Sequence, residues 1–167
     1  MIRLSMVIMF TLLFLVAAGT AGAEMAKEGS GDYLSGKTSV SQIMKMGKER
    51  LHMNYEQHGV VVKAPENSPF YNASFRVLGS LHAIKGKFKS PGFVVWTRPN
   101  GDKIYASYEM EGAFGVSNET VLTLVGGTGA CTGIQGTLTI KSVPGLKRSK
   151  KDVSPGISVG TFSWKIP

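Results

Sequence analysis

Cysteine is almost missing from this chain of 167 residues, because Cys131 is the one instance. No intramolecular disulfide can form, so the fold has to be stabilised by an apolar core. The neighbours of Cys131, Ala130 and Thr132, provide no base or cation that would activate the thiol. We expect Cys131 to be a small buried residue, with a reactive or intermolecular thiol as the alternative.

Acidic residues are also scarce. The chain has 11 Asp and Glu against 19 Lys and Arg, a formal net charge of +8. Part of this excess lies in residues 145–152, GLKRSKKD, which contain four cations and one anion. Such a run fits either nucleic-acid binding or a solvated loop that touches anionic surfaces. No aromatic residue is interleaved with the cations to stack on bases, which favours the loop and argues against a nucleic-acid partner.

Long apolar runs are confined to the start of the chain. Arg3 precedes an apolar stretch over 6–18, and small residues follow at Ala21 and Ala23. This layout predicts a secretory signal peptide over 1–23, cleaved after Ala23, and a secreted or periplasmic protein that does not span the membrane. The alternative is a membrane anchor, since 4–23 is about 20 residues, just long enough to cross a bilayer.

Helical periodicity is hard to find beyond that point. Residues 24–50 are polar and glycine-rich, and we expect a flexible lead-in with a short helix over 39–50, capped by Ser39 or Ser41. From 51 to 167 apolar and polar residues alternate in seven or eight segments joined by glycine and proline turns. This pattern predicts a single all-β domain, an antiparallel eight-stranded β-barrel. Several glycines lie inside these segments, where they suit the bends of a closed barrel: Gly79, Gly86, Gly112, Gly136 and Gly160.

A glycine-rich run, VGGTGACTGIQGT over 125–137, raises the question of nucleotide binding. Its spacing is one residue too long for the dinucleotide fingerprint, and no Gly-Lys-Ser/Thr follows as in a P-loop. The next segment, IQGTLTI, alternates like a strand, so no helix N-terminus is available for a phosphate. We interpret the run as a connection between two strands, and we expect no cofactor.

The segment LTLVGGTGACTGIQGTLTI, over 122–140, resembles one shared by allene oxide cyclases and dirigent proteins: a strand, Gly-Gly-Thr/Ser-Gly, a few residues, Gly and a strand. The preceding GFVVWTRPNGDKIYASYEMEG, over 92–112, is similar to small exported bacterial proteins of that barrel group. The resemblance implies an eight-stranded barrel with a mostly apolar lumen, and a dimer or trimer as in the plant members. Residues 51–90 do not match the cyclases' catalytic motifs, so no catalytic residue is carried over.

Two sets of polar residues are candidates for chemistry. Glu109 and Glu111 share one face of a strand, and they become a candidate acid and base, with Glu109 as the candidate catalytic residue, if that face points inward. The opposite face, with Ile104, Ala106 and Tyr108, is more apolar, so we expect Glu109 to point outward. Residues 52, 56 and 58 offer His, Glu and His, but they span about 20 Å along a strand, too far to share one metal ion.

These observations predict a barrel that binds a small hydrophobic molecule in its lumen. The alternatives are a cyclase-type or isomerase enzyme acting on an apolar substrate, and a structural envelope protein whose barrel is filled by side chains. By alternation, the expected lumenal residues are Val94, Trp96, Ile104, Tyr108, Leu122, Leu124, Ile134, Leu138, Phe162 and Trp164.

Overall fold

The structure, a computed structural model, describes residues 24–116, 118–143, 146–147, 150 and 153–167. The predicted signal peptide over 1–23 lies outside the described residues, as does part of the basic run over 145–152. Eight strands make up the fold: β1 (Glu28–Lys45), β2 (Arg50–Lys63), β3 (Ser74–Ile84), β4 (Lys87–Thr97), β5 (Lys103–Ala113), β6 (Glu119–Gly127), β7 (Gln135–Ser142) and β8 (Val153–Lys165).

The strands form a closed barrel in sequence order. Each strand pairs antiparallel with the next one, and β1 pairs antiparallel with β8 to complete the ring. Closure gives every one of the eight strands a partner on both sides, which removes the exposed edges of an open sheet. The predicted all-β, antiparallel, eight-stranded barrel is confirmed.

The first strand corrects the expectation for residues 24–50. A flexible or helical lead-in was expected there, but residues 28–45 form β1, and the barrel begins well before 51. The backbone of β1 is hydrogen-bonded to β2 on one side and to β8 on the other. These tertiary hydrogen bonds override the weak local helix preference of the segment.

The glycine-rich run connects β6 to β7, as predicted. A single 3₁₀ turn, Gly129–Cys131, occupies its centre, and β7 begins at Gln135. Among the other glycines, Gly86 differs from the prediction, because it lies in the turn between β3 and β4 with φ of +78° rather than inside a strand. That backbone conformation favours glycine.

One end of the barrel is plugged by aromatic side chains. The β2–β3 connection, over 64–73, places Phe70 in the core with no exposed surface. The Phe70 ring lies 4.7 Å from that of Phe162, 5.2 Å from that of Trp96 and 6.2 Å from that of Tyr33, measured between centroids. Ile134 and Ile166 are buried in the same cluster. We call this end the closed end.

Asp102 ties together two connections at the closed end. Its carboxylate accepts hydrogen bonds from the Ala130 backbone N–H at 3.0 Å and the Asn100 side chain at 2.9 Å. It also lies 3.7 Å from the guanidinium of Arg98, and both charged side chains are mostly buried. The β4–β5 turn is thereby bound to the β6–β7 connection.

We expect Asp102→Ala to lower the free energy of unfolding by about 1–3 kcal/mol, because it removes hydrogen bonds to a charged group and leaves Arg98 unpaired. Chemical denaturation measures the change. Asp32→Ala is the matched control, since Asp32 is exposed on β1 and has no side-chain partner among the described residues. An equal loss in both variants would contradict the assigned role of Asp102.

Candidate functional site: an open barrel lumen

The lumen of the barrel contains a cavity of about 640 Å³. It opens at the end opposite the Phe70 plug, where the β1–β2, β3–β4, β5–β6 and β7–β8 connections lie. All eight strands contribute inward-pointing side chains to its wall, and Val116 and Asn118 lie at its mouth. The barrel is therefore filled at the closed end and hollow towards the open end.

The predicted lumenal residues divide between these two halves. All ten are buried inside the barrel. Val94, Trp96, Tyr108, Leu122 and Leu138 line the cavity. The others belong to the core cluster of the barrel without lining the cavity: Ile104, Leu124, Ile134, Phe162 and Trp164.

Sequence reasoning missed the contribution of β1 to the wall. Tyr33, Ser35, Lys37 and Ser39 alternate inward along that strand and line the cavity. The signal was present as a period of two in DYLSGKTSVS, over 32–41, but the inward positions are mostly polar. A strand is normally recognised from sequence by apolar residues on its buried face. Because the lumenal face of this strand is mostly polar, its sequence does not distinguish it from a loop.

A chain of hydroxyl groups crosses the wall between β2, β4 and β5. Ser90 donates to the Ser80 carbonyl at 2.8 Å, and its oxygen lies 2.8 Å from the Tyr55 hydroxyl. The Tyr55 and Tyr108 hydroxyls are 2.5 Å apart. Because the Ser90 proton is committed to Ser80, Tyr55 donates to Ser90 and Tyr108 donates to Tyr55. Burial raises the pKa of Tyr108, and the Tyr55 neighbour raises it further, so the Tyr108 phenol keeps its proton at neutral pH.

Glycines in the wall make room for this chain. A Cβ on Gly92 of β4 would overlap the ring and hydroxyl of Tyr108, and one on Gly79 of β3 would meet both phenols. The absence of side chains at these two positions leaves space beside the wall that the tyrosine phenols occupy.

We expect Gly92→Ala to lower the free energy of unfolding by about 1–3 kcal/mol, because Tyr108 must move and its hydrogen bond to Tyr55 must lengthen or break. Thermal or urea denaturation measures the change. Gly36→Ala is the control, since its nearest neighbour, a methyl group of Val62, would lie 3.9 Å from the added Cβ. Comparable stabilities for the two variants would contradict the close packing of Tyr108 on Gly92.

Lys37 is the one cationic side chain in the cavity wall, within the described part of the chain. It is half-buried, and its aliphatic stem runs along Gly156 of β8. No carboxylate lines the cavity, and Lys37 has no ion-pair partner among the residues described. Burial lowers the pKa of Lys37, because desolvation disfavours the ammonium form.

An unpaired, partly desolvated ammonium destabilises the folded state, so we expect Lys37→Met to raise Tm by a few degrees. The folded-state pKa lies below the ordinary value of 10.5. The loss of folding stability caused by burying the charged Lys37 is therefore complete at pH values below its folded-state pKa. This loss decreases as the pH rises towards the ordinary pKa of lysine. Calorimetry at neutral and alkaline pH measures the gap between variant and wild type. Lys165→Met, an exposed position on β8, is the control and is expected to change little. A gap that stays constant with pH would contradict this account.

The remaining candidates for chemistry lie on the outer wall. Glu109 is exposed on the outer face of β5, as the sequence favoured, so it is not a lumenal acid. His58 contacts Glu56 at 2.7 Å, and Arg76 contacts the same carboxylate at 2.6 Å. Within the residues that the structure describes, no three side chains are arranged to hold a metal ion.

Two further features bear on the expectations from sequence. Cys131 is fully buried, as predicted, and burial raises the pKa of its thiol. An outer groove of about 580 Å³ lies across β1–β4 between exposed apolar side chains, among them Val40, Leu78 and Phe93. The groove is more open to solvent than the lumen.

Comparison of the chain with protein-family models, with curated proteins and with solved structures finds no match in any of the three. The barrel implied by the resemblance to allene oxide cyclases and dirigent proteins is present, whereas membership of that group is not confirmed. A helix of the length and apolarity needed to cross a membrane is not found among the described residues.

Proposed function

We propose that this chain is a small exported barrel protein that holds a mainly apolar small molecule in its lumen. The observation that carries the proposal is the open cavity of about 640 Å³, which falls within the size range of ligand sites. Large apolar side chains form much of its wall, including Phe75, Val77 and Leu122. An apolar molecule in contact with them would replace water and supply the dispersion contacts that an empty space lacks.

The two alternatives have less support. A filled barrel would bring side chains into the middle of the lumen, whereas Tyr55 and Tyr108 lie against wall glycines. A cyclase-type enzyme would use a lumenal carboxylate, and none lines the described cavity wall. Secretion or periplasmic export is proposed from the signal-like residues 1–23. Kinship with the allene oxide cyclase and dirigent group is proposed from the barrel and the glycine-rich β6–β7 connection.

Binding of dodecanol, a neutral apolar probe, tests the lumen directly. We expect one molecule to bind per chain in calorimetry and in native mass spectrometry. Val77→Phe places a larger ring in the cavity wall, and we expect it to weaken binding about tenfold or more, because the added ring occupies the space of the ligand.

Leu78→Phe is the matched control, because its side chain is the next along β3 and points outward into the outer groove. Thermal unfolding of both variants checks that they fold. Loss of binding in Leu78→Phe with retention in Val77→Phe would place the ligand on the outer wall and overturn the proposal. Absence of binding in the wild type would favour the filled or structural barrel.

A further inference from the structure

We propose that Lys37 anchors a single anionic group, so that the lumen selects a monoanion with an apolar body, such as a carboxylate or sulfonate. This inference rests on the proposed lumenal binding and names the chemical class of the ligand. Its support comes from the position of Lys37, an unpartnered hydroxyl beside it, the lack of carboxylates in the described lumen and the charge around the mouth.

Polar groups near Lys37 point to a ligand headgroup at that height in the barrel. Lys37 is paired in register with Gly156, and Ser35 with Ser158, so both side chains of β1 face the lumen next to β8. The Ser158 hydroxyl is buried and has no hydrogen-bond partner among the described residues. A buried hydroxyl is normally satisfied. An anionic oxygen would accept from Ser158 and from the Lys37 ammonium at the same time.

The rest of the wall limits the ligand to one charge. The other described side chains of the cavity wall are apolar, such as Leu138, or carry neutral hydroxyl and amide groups, such as Tyr55 and Gln57. A second anionic group would have no cation to pair with inside the described lumen, and burying an unpaired charge is strongly unfavourable. A molecule with one anionic head and an apolar body matches both the single cation and the apolar side chains of the wall.

The mouth of the cavity is positively charged. Among the residues that the structure describes, three carboxylates near it, Glu49, Glu111 and Glu119, each lie in an ion pair with a lysine. Other cations at this end have no such partner in the part of the chain that the structure describes: Lys45, Lys48, Arg50, Lys87, Lys147 and Lys150. This excess attracts anions towards the open end and speeds their association.

The test compares dodecanoate with dodecanol, which have the same apolar chain and differ in the headgroup. We expect the wild-type protein to bind dodecanoate about tenfold or more tightly than dodecanol at fixed ionic strength, because the carboxylate forms charge-assisted hydrogen bonds. Lys37→Met should remove this preference by weakening dodecanoate alone, and Lys37→Arg should keep most of it. Ser158→Ala should weaken dodecanoate severalfold and leave dodecanol unchanged.

Lys45→Met is the control for the charge of the mouth, since Lys45 ends β1 at the open end and is exposed. We expect it to slow association of dodecanoate without removing the equilibrium preference. Equal affinity of the wild type for both probes would overturn the anionic inference while lumenal binding stands. A preference that survives in Lys37→Met would also overturn it. Absence of binding for both probes would overturn lumenal binding itself.

Discussion

Pairing of β1 with β8 is the constraint on which the rest of the structure depends. These two long strands are joined along most of their length. Their pairing closes the antiparallel meander of eight strands into a ring. Without it, both strands would present exposed edges, and Lys37 and Ser158 would have no common lumen. The cavity therefore exists because a segment with little hydrophobic pattern is held in place by backbone hydrogen bonds.

The two halves of the barrel interior differ in how completely side chains fill them. At the closed end, the 64–73 connection inserts Phe70 among other aromatic rings, and the space is filled. Towards the open end, Tyr55 and Tyr108 pack against glycines of the wall, and the lumen beside them contains the cavity. The half-buried Lys37 lies in the free half, where burial disfavours its ammonium form and no carboxylate of the described wall pairs with it. Destabilising polar groups of this kind are typical of binding sites.

Much of the barrel could be anticipated because its signals are local. Alternation along β4 to β8 grouped on one face the side chains that the barrel buries. The glycine-rich run over 125–137 was identified from its spacing and from the strand-like residues after it as the connection between two strands. The first strand could not be anticipated in the same way. Its inward residues are Tyr33, two serines and Lys37, so its period of two does not separate apolar from polar residues, and the segment over 39–50 suggested a helix instead.

The alternation of apolar and polar residues and the turn residues between them settled the fold class, because these are properties of neighbouring residues, and the single cysteine excluded an intramolecular disulfide. Which half of the lumen is filled, which side chains share the cavity and which hydroxyl lacks a partner within the described chain were decided only by tertiary structure. Those facts depend on register between strands far apart in sequence, such as Ser35 with Ser158, and on how a connection such as 64–73 folds back over one end. No periodicity within a single segment carries that information, since it describes one strand and not its partner.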